Sequence, residues 1–485
     1  MMRKYKYEAI QVELPYEIIS IQNITLKAAL NEHYYLTLDA LIDEQWVEQY
    51  LNESIINKQV TVIIQQKIIY IGRIHELKIE SRGLVNMLHI ASVSYSADLD
   101  VKKNDTAFVN LQQTYEDVIN AIANRYPNAA YMDHITEGKK LSHLLVQYKE
   151  TDWSFIKRIA SHFETVLVVN ASAPISRVHF GLEPIYKQKN LEEAFNEREI
   201  DFETFQKLEV ITEKALNVET FIGWRVLSRM YFSIGTVIYY EGKQMYITSL
   251  ELESKQGEIA FQYELKLPQA ILGPYQINHQ LKGVSIEAIV KRRRNNEMQL
   301  HFCINDTYEP AEGNQWFEYA REVGNFYCMP IEESKVHVTF TSGDEKHTVV
   351  THAIRTASPG SKYFSKAINP DYKSYSTVHG QELLLTPELL QIAEDEQKTI
   401  QFTLNKDGNV NITAKTIQIH GNNCLKIGTQ EPYDEKENPV KPKQIKLSAK
   451  NKLVVTKSIG NDINLNHSIE LVEQSHLKGK VKLQK

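Results

Sequence analysis

The C-terminal quarter of this chain, residues 361–485, constrains the fold more than any other segment. Short stretches with apolar residues at alternate positions are separated by Asn, Lys, Asp and Gly: Ile400–Leu404, Val410–Thr413, Thr416–Ile419, Ile445–Leu447 and Lys452–Thr456. A period of two makes a strand with one apolar face. Strands this short bury that face only by stacking on others, within one chain or between copies. The segment is therefore expected to form an oligomeric β-prism or needle. Between its strands, Thr429–Lys443 (TQEPYDEKENPVKPK) is dense in charge and proline, and is expected to be an exposed loop or disordered.

The rest of the chain reads as mainly β with minor α. With 485 residues it is too long for one hydrophobic core. Residues 1–100 are strand-rich (Val60–Ile64, Ile68–Ile74, Leu84–Val93), with a short helix at Asp43–Leu51. Residues 101–204 carry two helix signals. Thr114 with Asp117 resembles a capping arrangement ahead of Tyr115, Val118, Ile119 and Ile122, which share one helical face. A second helix is expected from Thr151–Asp152, with Ile156, Ile159, Ala160 and Phe163 as its stripe. Tyr186–Glu203 reads as a polar connection. Residues 205–275 form a second strand-rich block, and 276–360 hold several short strands that suit a small Greek-key barrel of the OB type. Lys67-x-x-Tyr70-Ile71-x-x-Ile74 recurs as Lys243-x-x-Tyr246-Ile247-x-x-Leu250, a weak repeat signal between the two blocks.

Two segments resemble the VgrG and phage late-control family of baseplate hubs. The first is Val146–Ala160, where Gln147, Tyr148, Glu150, Thr151, Asp152, Phe155 and Arg158 match the family's strand, turn and helix. Thr151 or Asp152 is expected to cap that helix, with Trp153 and Phe155 anchoring it on a sheet. The second is Trp316–Pro330 with the strand Val336–Phe340 after it. Here Trp316, Gly324, Pro330, Gly343, Asp344 and the pair Val349-Val350 match, while His347-Thr348 stands where the family often has Arg-Pro. Ser374–Leu383 is similar to the start of the family's spike.

The resemblance implies two hub β-barrels with inserted helices, an OB-fold barrel and a C-terminal trimeric β-prism. It implies a homotrimer whose doubled barrels make a pseudo-sixfold ring. Such a ring caps a hexameric inner-tube protein, contacts other baseplate proteins and carries a PAAR-like tip protein or a separate effector. The assembled tip pierces a target membrane mechanically. The alternatives left open are a phage tail baseplate hub and a carbohydrate- or nucleic-acid-binding multidomain β protein.

Neither catalysis nor a cofactor is expected. The chain has no Gly-x-Ser-x-Gly, His-Glu-x-x-His, phosphate-binding Gly-x-x-x-x-Gly-Lys or Cys-x-x-Cys motif. The interval Ala357–Ser376 is too short for an inserted lysozyme domain. His301, His337, His347 and His352 lie in one domain without metal-ligand spacing, so no metal site is expected. The run Lys291–Arg294 lacks interleaved aromatics, and a net charge of -6 does not draw the chain to nucleic acid or an anionic membrane. Cys303, Cys328 and Cys424 are expected to be reduced, structural thiols, with Cys303 and Cys328 buried. The basic start is broken by Glu8, Glu13 and Glu17, so no signal peptide is expected. Assembly in the cytoplasm is expected, followed by release with the particle.

Overall fold

The computed structural model describes residues 2–7, 10–127, 129–183, 189–191, 195–212, 217–255, 258–271, 273–307, 312–320, 327–354, 369–377, 379–394 and 397–422. Two compact units divide the chain, Met1–Thr356 and Ala357–Lys485. Among the described residues no helix is long and apolar enough to cross a membrane.

The first unit is built on a sheet of 13 strands. It opens with β1 (Arg3–Tyr7), β2 (Ile10–Leu14), β3 (Ser20–Ala29) and β4 (Tyr35–Ile42). After the short helix α1 (Val47–Asn52) come β5 (Gln59–Ile64), β6 (Lys67–Arg82) and β7 (Val85–Ser94). An inserted region follows, with β8 (Lys103–Phe108), α2 (Tyr115–Ala123), β9 (Ala130–Asp133), β10 (Leu145–Thr151), α3 (Asp152–His162), β11 (Leu167–Val169) and β12 (Arg177–Phe180). The chain rejoins the large sheet through β13 (Lys189–Asn190) and β14 (Phe195–Ile200). It continues through α4 (Phe202–Thr212), β15 (Ile222–Ser228), β16 (Val237–Tyr240), β17 (Lys243–Lys255) and β18 (Glu258–Lys266).

The repeat signal marks a real duplication. In space the strands run β5-β6-β7-β4-β3, and the second set runs β16-β17-β18-β15-β14. The same chain order thus gives the same spatial order twice. Lys67–Ile74 and Lys243–Leu250 open the equivalent strands β6 and β17. Each follows a two-residue turn, Gln65-Gln66 and Glu241-Gly242, whose residues all have positive φ. That backbone matches the twist of a hairpin. The two sets are one continuous sheet, because β17 also pairs with β3, from Ser249 opposite Ala29 to Leu252 opposite Leu26.

Two local readings change. Residues 195–200, expected as connection, pair with β15 along their whole length. Residues 202–212 are helical, although the strand-rich block is expected to begin at 205. Asp201 accepts the Thr204 backbone N–H at 3.1 Å, and Phe205 and Leu208 pack with Phe221. This end cap with an i, i+3 apolar pair overrides the β-branched residues near the helix end.

The five strands β19 (Ser285–Arg294), β20 (Glu297–Phe302), β21 (Trp316–Glu318), β22 (Lys335–Phe340) and β23 (Thr348–Ile354) form a sheet in the order β21-β20-β19-β22-β23. A parallel bridge from Tyr319 to Val350 joins its first and last strands. That closure and order are those of an OB barrel. Alternate residues Ile286, Ala288 and Val290, with Val336, Val338 and Phe340, fill its core.

The second unit is described as a five-stranded antiparallel meander: β24 (Lys373–Ser376), β25 (Glu382–Leu385), β26 (Leu389–Ala393), β27 (Gln401–Asn405) and β28 (Val410–Thr413). The expected strands at 445–447 and 452–456, the loop 429–443 and Cys424 lie outside the described residues. Cys303 is exposed and Cys328 half-buried, both free, which corrects the expectation of buried thiols. Cys303 follows the buried Phe302 at the end of β20, and alternation along the strand turns it to the outer side.

Replacing Gln65-Gln66 by Asn-Gly, the pair that best accepts positive φ, should stabilise the first unit by about 1 kcal/mol. Urea denaturation with unchanged m-value is the measurement, and a lower midpoint would contradict the turn geometry.

Candidate functional site

The candidate site is the junction where the inserted region meets the closed barrel. The ribbon β8–β10 has two faces and both are buried. Phe108 and Leu145 point into the core of the large sheet. Ala107, Val109, Leu144 and Val146 point into the core of the barrel. Main-chain pairing extends the contact, with Leu111 N–H donating to Gly313 at 2.9 Å and Gln315 N–H to Val109 at 2.8 Å. Asn305 holds Ala107 from both sides, accepting its N–H and donating to its carbonyl at 2.8 Å each.

On this ribbon sits the first sequence motif. Thr151 caps α3, accepting the Ser154 N–H at 3.1 Å. Asp152 does not cap. It is fully buried and accepts hydrogen bonds from Asn104 (3.1 Å), Arg125 (2.5 Å), Tyr126 (2.7 Å) and Gln147 (2.7 Å). Gln147 is oriented by accepting from Arg125 at 3.0 Å. Trp153 packs on His33 with ring centres 4.4 Å apart, and Phe155 stacks on Phe108 at 6.0 Å. The helix is anchored as its sequence implies.

Arg158, 2% exposed, crosses the junction. It donates to both oxygens of Glu150 at 3.0 Å, to the Val146 carbonyl at 2.9 Å and to Glu345 of the barrel at 2.7 Å. Burial pushes the Glu150 carboxyl up from its ordinary value and Arg158 draws it back. Desolvation opposes the charge of Arg158, but Glu345 and Glu150 outweigh it and its pKa rises. The fork geometry is that of an ionised pair, since arginine keeps its proton in proteins.

The second motif supplies the other half. Gly343 approaches Asn278 so closely that a Cβ there would lie 2.8 Å from the Asn278 carbonyl oxygen. Asn278 N–H donates to Gly343 at 3.1 Å, and its side-chain amide donates to the Tyr148 carbonyl at 3.0 Å. Asp344 closes the turn by accepting the Lys346 N–H at 3.0 Å, which leaves Glu345 between them aimed at Arg158. Thus Gln147, Tyr148, Glu150, Thr151, Asp152, Phe155, Arg158, Gly343 and Asp344 converge. Trp316 and Pro330 do not join them. Trp316 lies under the Arg294 guanidinium at 4.1 Å, and the buried Pro330 accepts from Arg293 at 3.4 Å. Gly324 lies outside the described residues.

Sequence reasoning missed Glu345, Asn278, Arg125 and Asn104. Only Glu345 carried a signal, its place directly after Gly-Asp. In the basic run, Lys291 pairs with Glu333 at 3.1 Å and Arg294 with Glu297 at 2.9 Å. Both pairs lie at the barrel's surface, between its own residues.

With this geometry established, solved structures give the comparison. The Escherichia coli c3393 protein, a component of the type VI secretion system similar to the T4 bacteriophage tail proteins gp27 and gp5, aligns over 73% of this chain and 100% of its own, at 10% identity and a TM-score of 0.52. The two chains share a fold. A chain of the Francisella PdpA–VgrG complex aligns over 83% of this chain and 85% of its own at 10% identity, with a TM-score of 0.49. The prophage MuSo2 43 kDa tail protein of Shewanella oneidensis aligns over 55% of this chain and all of its own at 12% identity, with a TM-score of 0.42. No family model and no curated protein matches the sequence. The resemblance read from the two motifs is thus matched, at the level of the fold, by the c3393 protein.

Arg158→Ala leaves Glu150 and Glu345 buried without a counter-charge and should destabilise the first unit by about 3–5 kcal/mol. Arg158→Lys should recover little, because an ammonium cannot make the fork. Thermal and urea melts check both. A second outcome concerns acid. Beside the junction, His162 donates Nε2–H to the Gln276 carbonyl at 3.0 Å and stacks on Tyr275 at 4.1 Å. Burial lowers its pKa from 6.5 to about 4. The folded ring stays neutral while the unfolded ring takes a proton, so its contribution is lost as pH falls from about 6.5 to about 4. His162→Gln should flatten the melting curve against pH across that window. An unchanged slope would contradict a buried neutral ring.

Proposed function

We propose that the chain is the trimeric hub and spike of a bacterial contractile injection machine, a structural protein and not an enzyme. The carrying observation is the second unit. Its register aligns two apolar rows on one face: Tyr375, Leu383, Ile392, Phe402 and Ile412, then Leu385, Leu390, Leu404 and Val410. The opposite face is more polar, with the row Ser374, Leu384, Gln391, Thr403 and Asn411 and the pair Leu389 and Asn405. Among the described residues of this unit only Gln391 and Ala393 are buried, and both lie on that opposite face. Ile392, Val410 and Ile412 stay more than half exposed, at 52%, 56% and 51%. The first of these rows lines an open trough of about 590 Å³.

A sheet with this pattern is half of an interface. Each such side chain contributes about 1.5–3 kcal/mol when taken fully from water. Three copies around a threefold axis would cover the rows and satisfy the sheet edges in a closed assembly. The duplicated five-strand set supports a matching role for the first unit. Three chains would present six equivalent sets, a ring fitting a hexameric inner tube below a threefold spike. The Arg158 junction would then transmit thrust from ring to barrel without a hinge. A tip protein or a separate effector would ride at the far end, and other baseplate proteins would hold the ring. Assembly would take place in the cytoplasm, with release when the particle fires through a target envelope.

Light scattering on the full chain should give a trimer. Ile392→Asp with Leu404→Asp should give monomers whose first unit keeps its melting transition. A monomeric wild-type chain would overturn the reading.

A further inference from the structure

Outside the junction, three ligating side chains converge on the inserted region. His134 follows β9, His179 lies on β12 and Glu183 comes just after it. β9 and β12 pair in parallel, with Met132 opposite His179, and His134 N–H extends the ladder to the Phe180 carbonyl at 3.0 Å. The two imidazoles therefore meet edge to edge, with centres 5.3 Å apart, planes 15° apart and His134 Nε2 pointing at His179 Nδ1. Glu183 is brought back by a turn at Gly181, whose φ is 93°. A Cβ at Gly181 would strike Ile135 at 2.3 Å, so the turn needs glycine for both reasons.

The resulting contacts cannot all be ordinary hydrogen bonds. His134 Nε2 lies 3.0 Å from His179 Nδ1, and the same Nδ1 lies 3.2 Å from Glu183 Oε1. If the proton sits on His134, the lone pair of His179 Nδ1 faces the Glu183 oxygen. If it sits on His179, one N–H is shared between a carboxylate and a second ring nitrogen. One proton on neutral rings leaves a lone pair opposed or a donor divided. A cation at the centre accepts all three lone pairs.

We propose that His134, His179 and Glu183 bind one divalent transition-metal ion of the zinc class. The ligand atoms all lie within 4.8 Å of one another. Ligand bonds near 2.0–2.2 Å place neighbouring donors of a tetrahedral site roughly 3.3 Å apart, so closing it takes an inward turn of the exposed Glu183 side chain and a small tilt of the two rings, whose nitrogens now lie 3.0 Å apart. Two His and one Glu suit zinc and its neighbours better than calcium or magnesium, which take oxygen ligands. One coordination position remains for water or a fourth donor. The ion would pin the chain leaving β12 to the sheet β9–β12–β11, just before that chain crosses to the second five-strand set. This inference stands apart from the trimer reading.

The test is calorimetric titration of untagged, chelator-treated full-length protein with zinc chloride, with Co²⁺ absorption reporting coordination. One equivalent per chain is expected, with a rise in the melting temperature of the first unit. Glu183→Gln, at an exposed position, and His134→Gln should each weaken binding roughly tenfold or more, with unchanged circular dichroism. No heat at stoichiometric zinc would overturn the proposal. So would binding that both variants leave unchanged, or binding of several weak equivalents insensitive to them.

Discussion

The first unit depends on a two-stranded ribbon that belongs to two cores at once. Because strand side chains alternate, β8 and β10 can give Phe108 and Leu145 to one core and Ala107, Val109, Leu144 and Val146 to the other. Neither core can then open without stripping the ribbon from the other. The same ribbon carries Glu150 and leads into α3, so Arg158 is fixed by the packing that it bridges. Buried charges of this kind add little net stability over apolar packing, but they punish any misplaced arrangement. In the force-passing role proposed here, a single permitted orientation would matter more than a few kcal/mol.

The second unit works on the opposite principle. Its sheet has sound main-chain pairing and no apolar core of its own among the described residues. The first unit encloses its apolar residues and the second displays them in register. This contrast links the fold to the proposed assembly, since a sheet that cannot finish burying its face is committed to a partner surface. The duplication of five strands belongs to the same logic. Repeating one arrangement within a chain doubles the symmetry that a closed oligomer can present.

Much of this was legible in the sequence, for local reasons. The Thr114 capping box, the α3 cap at Thr151 and the alternation of β19 and β22 are set by residues within a few positions of one another. The Lys-x-x-Tyr-Ile echo identified equivalent strands because both begin with a tight turn of fixed geometry. Where the reading failed, a distant contact decided. α4 forms because Phe205 and Leu208 find Phe221. β14 is a strand because β15 lies beside it, a partner the polar composition of 195–200 does not announce.

The sequence by itself determined the order of β and α segments, the caps and turns, the motifs and the one-sided apolar pattern of the tail. All of these are properties of neighbours along the chain. Only the tertiary structure decided that Asp152 is a buried hub of hydrogen bonds and not a cap, that Glu345 answers Arg158, and that His134 meets His179 and Glu183. These pairings join residues far apart in sequence, and their energies arise only when folding removes water from around both partners. Before that, each is one more polar side chain.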